Sequence, residues 1–250
     1  MSLYQKIKNF ILDILFPISC LSCGQDGFWL CAECLEKIPI LNFQVCPRCE
    51  RIIIDQGKLC PNCKKHTKFE HFYLDALIVA TKYNANNIAK IIHLYKYNFI
   101  QDLSAPLGEI LTKGLFKSNL PLPDFIMPVP LHSRRLRWRG FNQAKLIAEI
   151  ISQKLTPGFE IPILDEILIR KKYTRPQMKV KNYLDRQKNI QDSFILNEPG
   201  FEKVKNKKIL LIDDVATTAS TLLECARILK ENGAKKVFAA VIARQEIRKK

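Results

Sequence analysis

Eight of the nine cysteines fall before residue 64, as four Cys-x-x-Cys pairs at Cys20/Cys23, Cys31/Cys34, Cys46/Cys49 and Cys60/Cys63. Two such pairs bring four thiolates within tetrahedral reach of one ion, and a segment this short has little apolar core of its own, so a bound metal would supply much of its folding free energy. Pairing neighbours closes the shortest loops, which gives the sets Cys20, Cys23, Cys31, Cys34 and Cys46, Cys49, Cys60, Cys63; an interleaved arrangement also satisfies the spacing. Disulfides are the alternative chemistry. A basic chain without a secretory leader belongs in a reducing compartment, where paired cysteines hold metal, and the expectation is two structural Zn²⁺ ions. In "CPRCE" and "CPNCK", Pro47 and Pro61 set φ inside knuckle turns. Four-thiolate sites leave no open coordination position, so these ions are assigned no catalysis. The ninth, Cys225, sits at helical spacing among apolar residues and reads as a small buried hydrophobe.

The chain has 250 residues, 47% of them hydrophobic, enough for one moderate domain beside a small one. Its first stretch, "LYQKIKNFILDILF", carries an apolar stripe (Leu3, Ile7, Phe10, Ile11, Ile14, Leu15) interrupted by Lys6, Lys8 and Asp13. It is neither a secretory h-region nor a span of about 20 apolar residues. An amphipathic helix over 1–18 is expected, as a packing face or, alternatively, a membrane-surface contact. The location that follows is cytoplasmic, with peripheral attachment at the inner membrane face as the second option. The formal charge of +16, from 40 Lys+Arg against 24 Asp+Glu, favours polyanionic partners: nucleic acid, phosphorylated metabolites or an anionic membrane face.

After Lys65 the pattern changes. A strand in "FEHFYLDALIVATKYN", helices in "NIAKIIHLYKYN" and "LSAPLGEILTKGLF", a buried strand in "PDFIMPVPLH" and a helix in "NQAKLIAEIISQKL" alternate along the chain, followed by "FEIPILDEILIR" and a short strand near "SFIL". Alternation of this kind predicts an α/β fold with an open, mostly parallel sheet. The expected modules are residues 1–18, a double zinc ribbon over 19–68 and a sheet domain over 69–250.

"KILLIDDVATTAST" then defines a candidate site. A continuous apolar run ending in Asp213 and Asp214 places both acids at the carboxyl end of a buried parallel strand, where open α/β sheets bind ligands. A helix beginning near Ser220 offers backbone N–H groups and the positive end of its dipole. The intervening Ala216, Thr217, Thr218, Ala219, Ser220 and Thr221 supply a small-residue turn with hydroxyl donors. A phosphate fits the helix start. The carboxylates suit a vicinal diol or hydrated Mg²⁺, and the two together describe a ribose 5-phosphate.

That segment resembles the phosphoribosyl pyrophosphate motif of type I phosphoribosyltransferases, except that Ala219 stands where the family usually has Gly. With "IIHLYKYNFIQDLSAPLGEIL", "IMPVPLHSRRLRWRGFNQAKLIAE", "RKKYTRPQMKVKNYLDRQKNIQDSF" and the cysteine pairs, the chain from Cys20 to Arg244 resembles the ComF/GntX family, whose R-x-R-G-F-N-Q signature matches Arg137 to Gln143. The resemblance implies a type I phosphoribosyltransferase-like sheet, binding of phosphoribosyl pyrophosphate with Mg²⁺, and an association with DNA uptake during natural transformation.

The four arginines of "HSRRLRWRG" (Arg134, Arg135, Arg137, Arg139), read as a loop after a strand end, admit three readings. They hold pyrophosphate together with Gln143, form a solvated basic face, or meet a nucleic-acid backbone. Trp138 between two of them is a packing residue or a platform for a base. The basic stretch 170–188 corresponds, by resemblance, to the mobile loop that closes over the sugar ligand, with Gln177 and Arg186 as its polar contacts; its tyrosines and charge serve a single DNA strand equally well.

Two functions therefore stay open. One is a phosphoribosyl pyrophosphate-binding factor that handles single-stranded DNA, with a competence helicase as an expected partner. The other is an active transferase moving phosphoribose to an unidentified base or amine. No catalytic nucleophile is required of either, and glutamine-dependent amidotransfer is not expected, because the chain carries no glutaminase domain.

Overall fold

The computed structural model describes residues 18–49, 51–53, 57–66, 72–174 and 189–245. The stripe-bearing leader, the 68/69 boundary, Gln177 and Arg186 lie outside the described residues. In the cysteine-rich part, helix α1 (Ala32–Glu36) is followed by the hairpin strands β1 (Gln44–Val45) and β2 (Ile52–Ile53) and by helix α2 (Pro61–His66). Each quartet combines a pair in a turn with a pair at a helix start: Cys31 caps α1 and Cys34 lies within it, while Cys60 directly precedes α2 and Cys63 lies within it. The repeat is structural as well as sequential.

The remaining elements are β3 (Ala76–Lys82), α3 (Ile88–Tyr97), α4 (Ser104–Ser118), β4 (Phe125–Pro128), α5 (Ser133–Arg139), α6 (Gln143–Lys154), β5 (Leu168–Arg170), β6 (Phe194–Leu196), α7 (Glu198–Val204), β7 (Lys208–Ala216), α8 (Ser220–Glu231) and β8 (Lys236–Arg244). Four of the strands make one sheet in the order β3-β8-β7-β4, parallel at every pairing. The alternating period of a strand then splits the core in two. Ile78, Ala80, Leu210, Ile212, Ala240 and Ile242 face α3, α4 and α6. Leu77, Val79, Leu211, Val237, Ala239 and Val241 face α8, where Cys225 is fully buried as expected. Strands β5 and β6 form a separate antiparallel ribbon that packs against that second core.

The cysteine-rich part covers the outer edge of β3. Leu41 N–H donates to Ala80 O at 2.9 Å, and Leu77 N–H donates to Gly57 O at 2.9 Å. Between them the Gln44 side chain substitutes for a neighbouring strand. Its Oε1 accepts from Val79 N–H at 2.8 Å and its Nε2 donates to Val79 O at 3.2 Å. An uncovered strand edge invites pairing with other chains, so this edge is protected by the module beside it.

One expected loop is a helix. "HSRRLRWRG" forms α5, because the His132 ring accepts from Arg134 N–H at 3.1 Å at its start and Gly140, at φ 78°, closes its end in the left-handed region. Phe141 then packs on Tyr95 at 5.8 Å between ring centres, and Asn142 caps α6 by accepting from Ala144 N–H at 3.1 Å. The run Gly140–Phe141–Asn142 is thus one C-cap, one anchor and one N-cap in succession.

Candidate ligand cleft and metal centres

Both thiol quartets are assembled in the pairing of neighbours, Cys20, Cys23, Cys31, Cys34 and Cys46, Cys49, Cys60, Cys63, with all candidate ligand atoms of a set within 4.8 Å of one another. A tetrahedral ion with Zn–S bonds of about 2.3 Å sets its sulfurs about 3.8 Å apart. Cys23 and Cys31 are 3.7 Å apart through their sulfurs, and Cys49 and Cys60 are 3.6 Å apart. Equivalent backbone donors point at equivalent sulfurs: Cys31 N–H at Cys20 Sγ and Cys60 N–H at Cys46 Sγ, both at 3.4 Å. Burial opposes the Cys20 thiolate, but N–H donors from Cys31, Cys23 and Ser22 outweigh it and bring the thiol down to about 6. The donor chemistry and spacing of both sets fit structural Zn²⁺.

The second site is a cleft at the carboxyl ends of β4 and β7, lined by Asp213, Asp214, Ala216, Thr217, Ala219, Ser220 and Thr221 on one side and by Arg135, Arg139, Gln143 and Arg170 on the other. Asp214 N–H donates to Asp213 Oδ1 at 2.8 Å and Val215 N–H donates to Asp214 Oδ1 at 2.7 Å, which fixes both carboxylates against their own backbone. Ala219 precedes α8 at φ 57°, the left-handed conformation that glycine adopts freely and that costs an alanine about 1 kcal/mol. The sharp turn therefore survives the exchange of glycine for alanine, with a methyl group at its tip. Thr218 does not line the cleft. It is buried, and its hydroxyl is paired with that of Ser220 at 2.6 Å, bracing the turn from behind.

The period of α5 sorts its arginines. Arg135 and Arg139, four residues apart, face the cleft. Arg134 and Arg137 are exposed and lie outside its lining. Arg139 Nη1 donates to Gln143 Oε1 at 2.9 Å, and Arg135 Nη2 donates to Thr174 O at 2.6 Å.

Lys96 escaped the sequence reading, and Arg170 entered it only as the first residue of the basic stretch expected to close over the ligand. Lys96, in the last turn of α3, places its ammonium 2.8 Å from Asp214 Oδ1. Burial opposes its charge, but Asp214 and Asp213 outweigh burial and raise it above the ordinary lysine value. Arg170, at the end of β5, donates to the Thr174 hydroxyl at 2.6 Å and lies over the Phe194 ring. Burial, and then the neighbouring Arg135, lower it to about 10. The sequence reading gave Arg170 no role apart from that basic stretch, whereas it ends a strand, and nothing local tied Lys96 to acids more than a hundred residues away.

The cleft has an electrostatic imbalance. Burial, then the adjacent Asp214 carboxylate, push the half-buried Asp213 up from the ordinary carboxylate range to about 7. Across from the acids, Gln143 Nε2, Arg139 Nε and Arg170 Nε are buried N–H donors without a partner among the described residues. Gln143 is 2% and Arg170 8% exposed. No salt bridge among the described residues neutralises Arg135, Arg139 or Arg170. Buried unpaired donors cost roughly 1–3 kcal/mol each, and an oxyanion in the cleft would remove that cost.

These two sites define a class: a phosphoribosyltransferase-type parallel sheet joined to a double zinc ribbon. The family models agree with it, the phosphoribosyl transferase domain matching residues 142–250 and the double zinc ribbon domain residues 11–64. The chain is 29% identical over 239 residues to competence protein F of Haemophilus influenzae, covering 92% of this chain and 98% of that one. It is 28% identical over 219 residues to the DNA utilization protein YhgH of Escherichia coli K12, covering 82% and 92% respectively. Among solved structures, the purine phosphoribosyltransferase of Pyrococcus horikoshii matches with a TM-score of 0.34 and 18% identity over 57% of this chain and 82% of that one. The chain is thus similar to competence protein F and to the YhgH DNA utilization protein, and it combines a phosphoribosyl transferase domain with an N-terminal double zinc ribbon domain. No helix among the described residues is long and apolar enough to cross a membrane.

Proposed function

We propose that the cleft binds phosphoribosyl pyrophosphate with Mg²⁺, and that the protein uses this ligand while handling single-stranded DNA during natural transformation. The observation that carries the sugar-phosphate half is the row of buried donors without a partner among the described residues, Gln143 Nε2, Arg139 Nε and Arg170 Nε, facing a carboxylate pair across one cleft. The start of α8 would seat the 5-phosphate. Asp213 and Asp214 would accept hydrogen bonds from the ribose diol, and Arg135, Arg139 and Gln143 would receive the pyrophosphate. Mg²⁺, bound through hard oxygens, would offset the charge of the leaving pyrophosphate. The DNA half is supported by the names of the competence and DNA-utilization relatives and by the net charge of +16.

The intact acidic pair supports sugar binding under this reading and equally under a second, in which phosphoribose is transferred to a base or amine. Calorimetric titration of Mg²⁺–phosphoribosyl pyrophosphate into wild type and Asp214→Asn tests the first, with pyrophosphate release followed in the same samples. Binding lost in the variant with the fold retained is the expected result, and release that depends on an added acceptor decides for the transferase. No binding to wild type overturns the sugar-phosphate reading.

A further inference from the structure

Helix α5 has an outward face that the cleft does not use. While Arg135 and Arg139 turn inward, Arg134, Arg137 and Trp138 turn to solvent, with Trp138 60% exposed and set edge-on to Phe99 at 5.1 Å between ring centres. At the other end of the helix Tyr173, 51% exposed, is held by the Arg134 and Arg135 guanidiniums at 4.9 and 5.6 Å and by His132 at 5.3 Å. Packing alone would bury an indole, and a merely solvated basic face needs no aromatic rings.

We infer that this face of α5 is a stacking platform for a single strand of nucleic acid, with Trp138 and Tyr173 as base supports and Arg134 and Arg137 as phosphate contacts. The inference rests on the single-strand half of the proposed function and gives it a location. Four residues of helix separate Arg134 from Trp138, about 6 Å along the axis, so one extended strand reaches both aromatic groups. Unstacked bases present flat faces to the rings whatever their sequence, and arginines beside the rings add charge complementarity to the backbone. A duplex keeps its base faces stacked and offers only its phosphates. Because one helix carries both rows of arginines, a strand on its outer face lies next to the mouth of the sugar-phosphate cleft.

The test follows tryptophan fluorescence of the full-length, zinc-loaded protein at low salt. The probes are an oligothymidylate, an oligouridylate and a duplex of equal length. Single strands should quench Trp138 saturably and bind more tightly than the duplex. Trp138→Leu and Tyr173→Leu, both read by anisotropy of a labelled strand because the first removes the fluorophore, should each weaken binding about tenfold. Arg137→Gln should lower the salt slope by about one. Zinc content should stay at the wild-type value in all three variants, and the heat of phosphoribosyl pyrophosphate binding should do so in Trp138→Leu and Arg137→Gln, which shows that the variants are folded. Equal binding of both single strands fits stacking that ignores the sugar. Single-strand binding unchanged in both aromatic variants, or duplex bound as tightly as single strand, overturns the platform alone. No binding by wild type overturns the platform and the single-strand reading together, while leaving the sugar-phosphate titration unaffected.

Discussion

The Gln44 side chain makes two of the hydrogen bonds that tie the zinc module to the sheet, and Gln44→Met tests them. The methionine keeps the length and apolar stem of the residue while removing both hydrogen bonds to Val79. Gln44 is 9% exposed and Val79 3%, so the orphaned N–H and C=O of Val79 gain little water. Each unsatisfied buried backbone group costs about 1–2 kcal/mol here, toward the lower part of the usual range because a strand edge can relax, which gives about 2–4 kcal/mol in all. For a chain of this size that corresponds to a fall in melting temperature of roughly 4–16 °C. Urea and thermal unfolding followed by far-UV circular dichroism, with zinc content measured before and after, would read it. Light scattering should rise earlier than in wild type, since the edge of β3 is then less well covered. A loss below about 0.5 kcal/mol would refute the reasoning: it would mean that Leu41, Gly57 and the Thr81–Pro39 hydrogen bond hold the edge without Gln44, or that water replaces the glutamine.

Other outcomes follow from the same structure. Gly57→Ala should detach the second ribbon from β3, because a Cβ there would sit 2.2 Å from Leu77 O at a φ of +72°; unchanged unfolding would show that the contact is not required. Metal analysis should find two zinc ions per chain and about one in the Cys20→Ser/Cys23→Ser double variant, and absence of zinc from the wild type would end the ribbon reading. Asp213, raised to about 7, holds an extra proton in the folded state between its unfolded value near 3.8 and that point. Its contribution to stability therefore falls as pH rises through this window. Binding that requires its carboxylate should strengthen from pH 6 to 8, and Asp213→Asn should flatten both dependences; a binding profile that is flat in the wild type would show that Asp213 does not need to ionise.

Much of the site was legible because its signals are local. The run Ile209–Ile212 ended by two acids could only be a buried strand delivering carboxylates to a sheet end, and the cysteine spacing admitted few assemblies. Less was legible where a short element lacks an apolar stripe. Helix α5 has no buried residue, so periodicity gave no sign of it, and its form depends on His132 and Gly140 at its two ends. Once the helix is known, its period divides four arginines that had looked equivalent.

The sequence by itself determined the metal chemistry and the acid-and-hydroxyl segment, because each depends on residues close together along the chain, and the parallel-sheet class, because strands and helices alternate along it. Only the tertiary structure decided which cations meet those acids. Lys96 pairs with Asp214 across 118 residues, and Arg170 enters from a separate ribbon of strands. It likewise decided that Gln44 and Gly57 guard the edge of β3. Charge and hydrogen-bond complementarity between distant segments is fixed by how strands and helices pack, and packing is a property of the whole core.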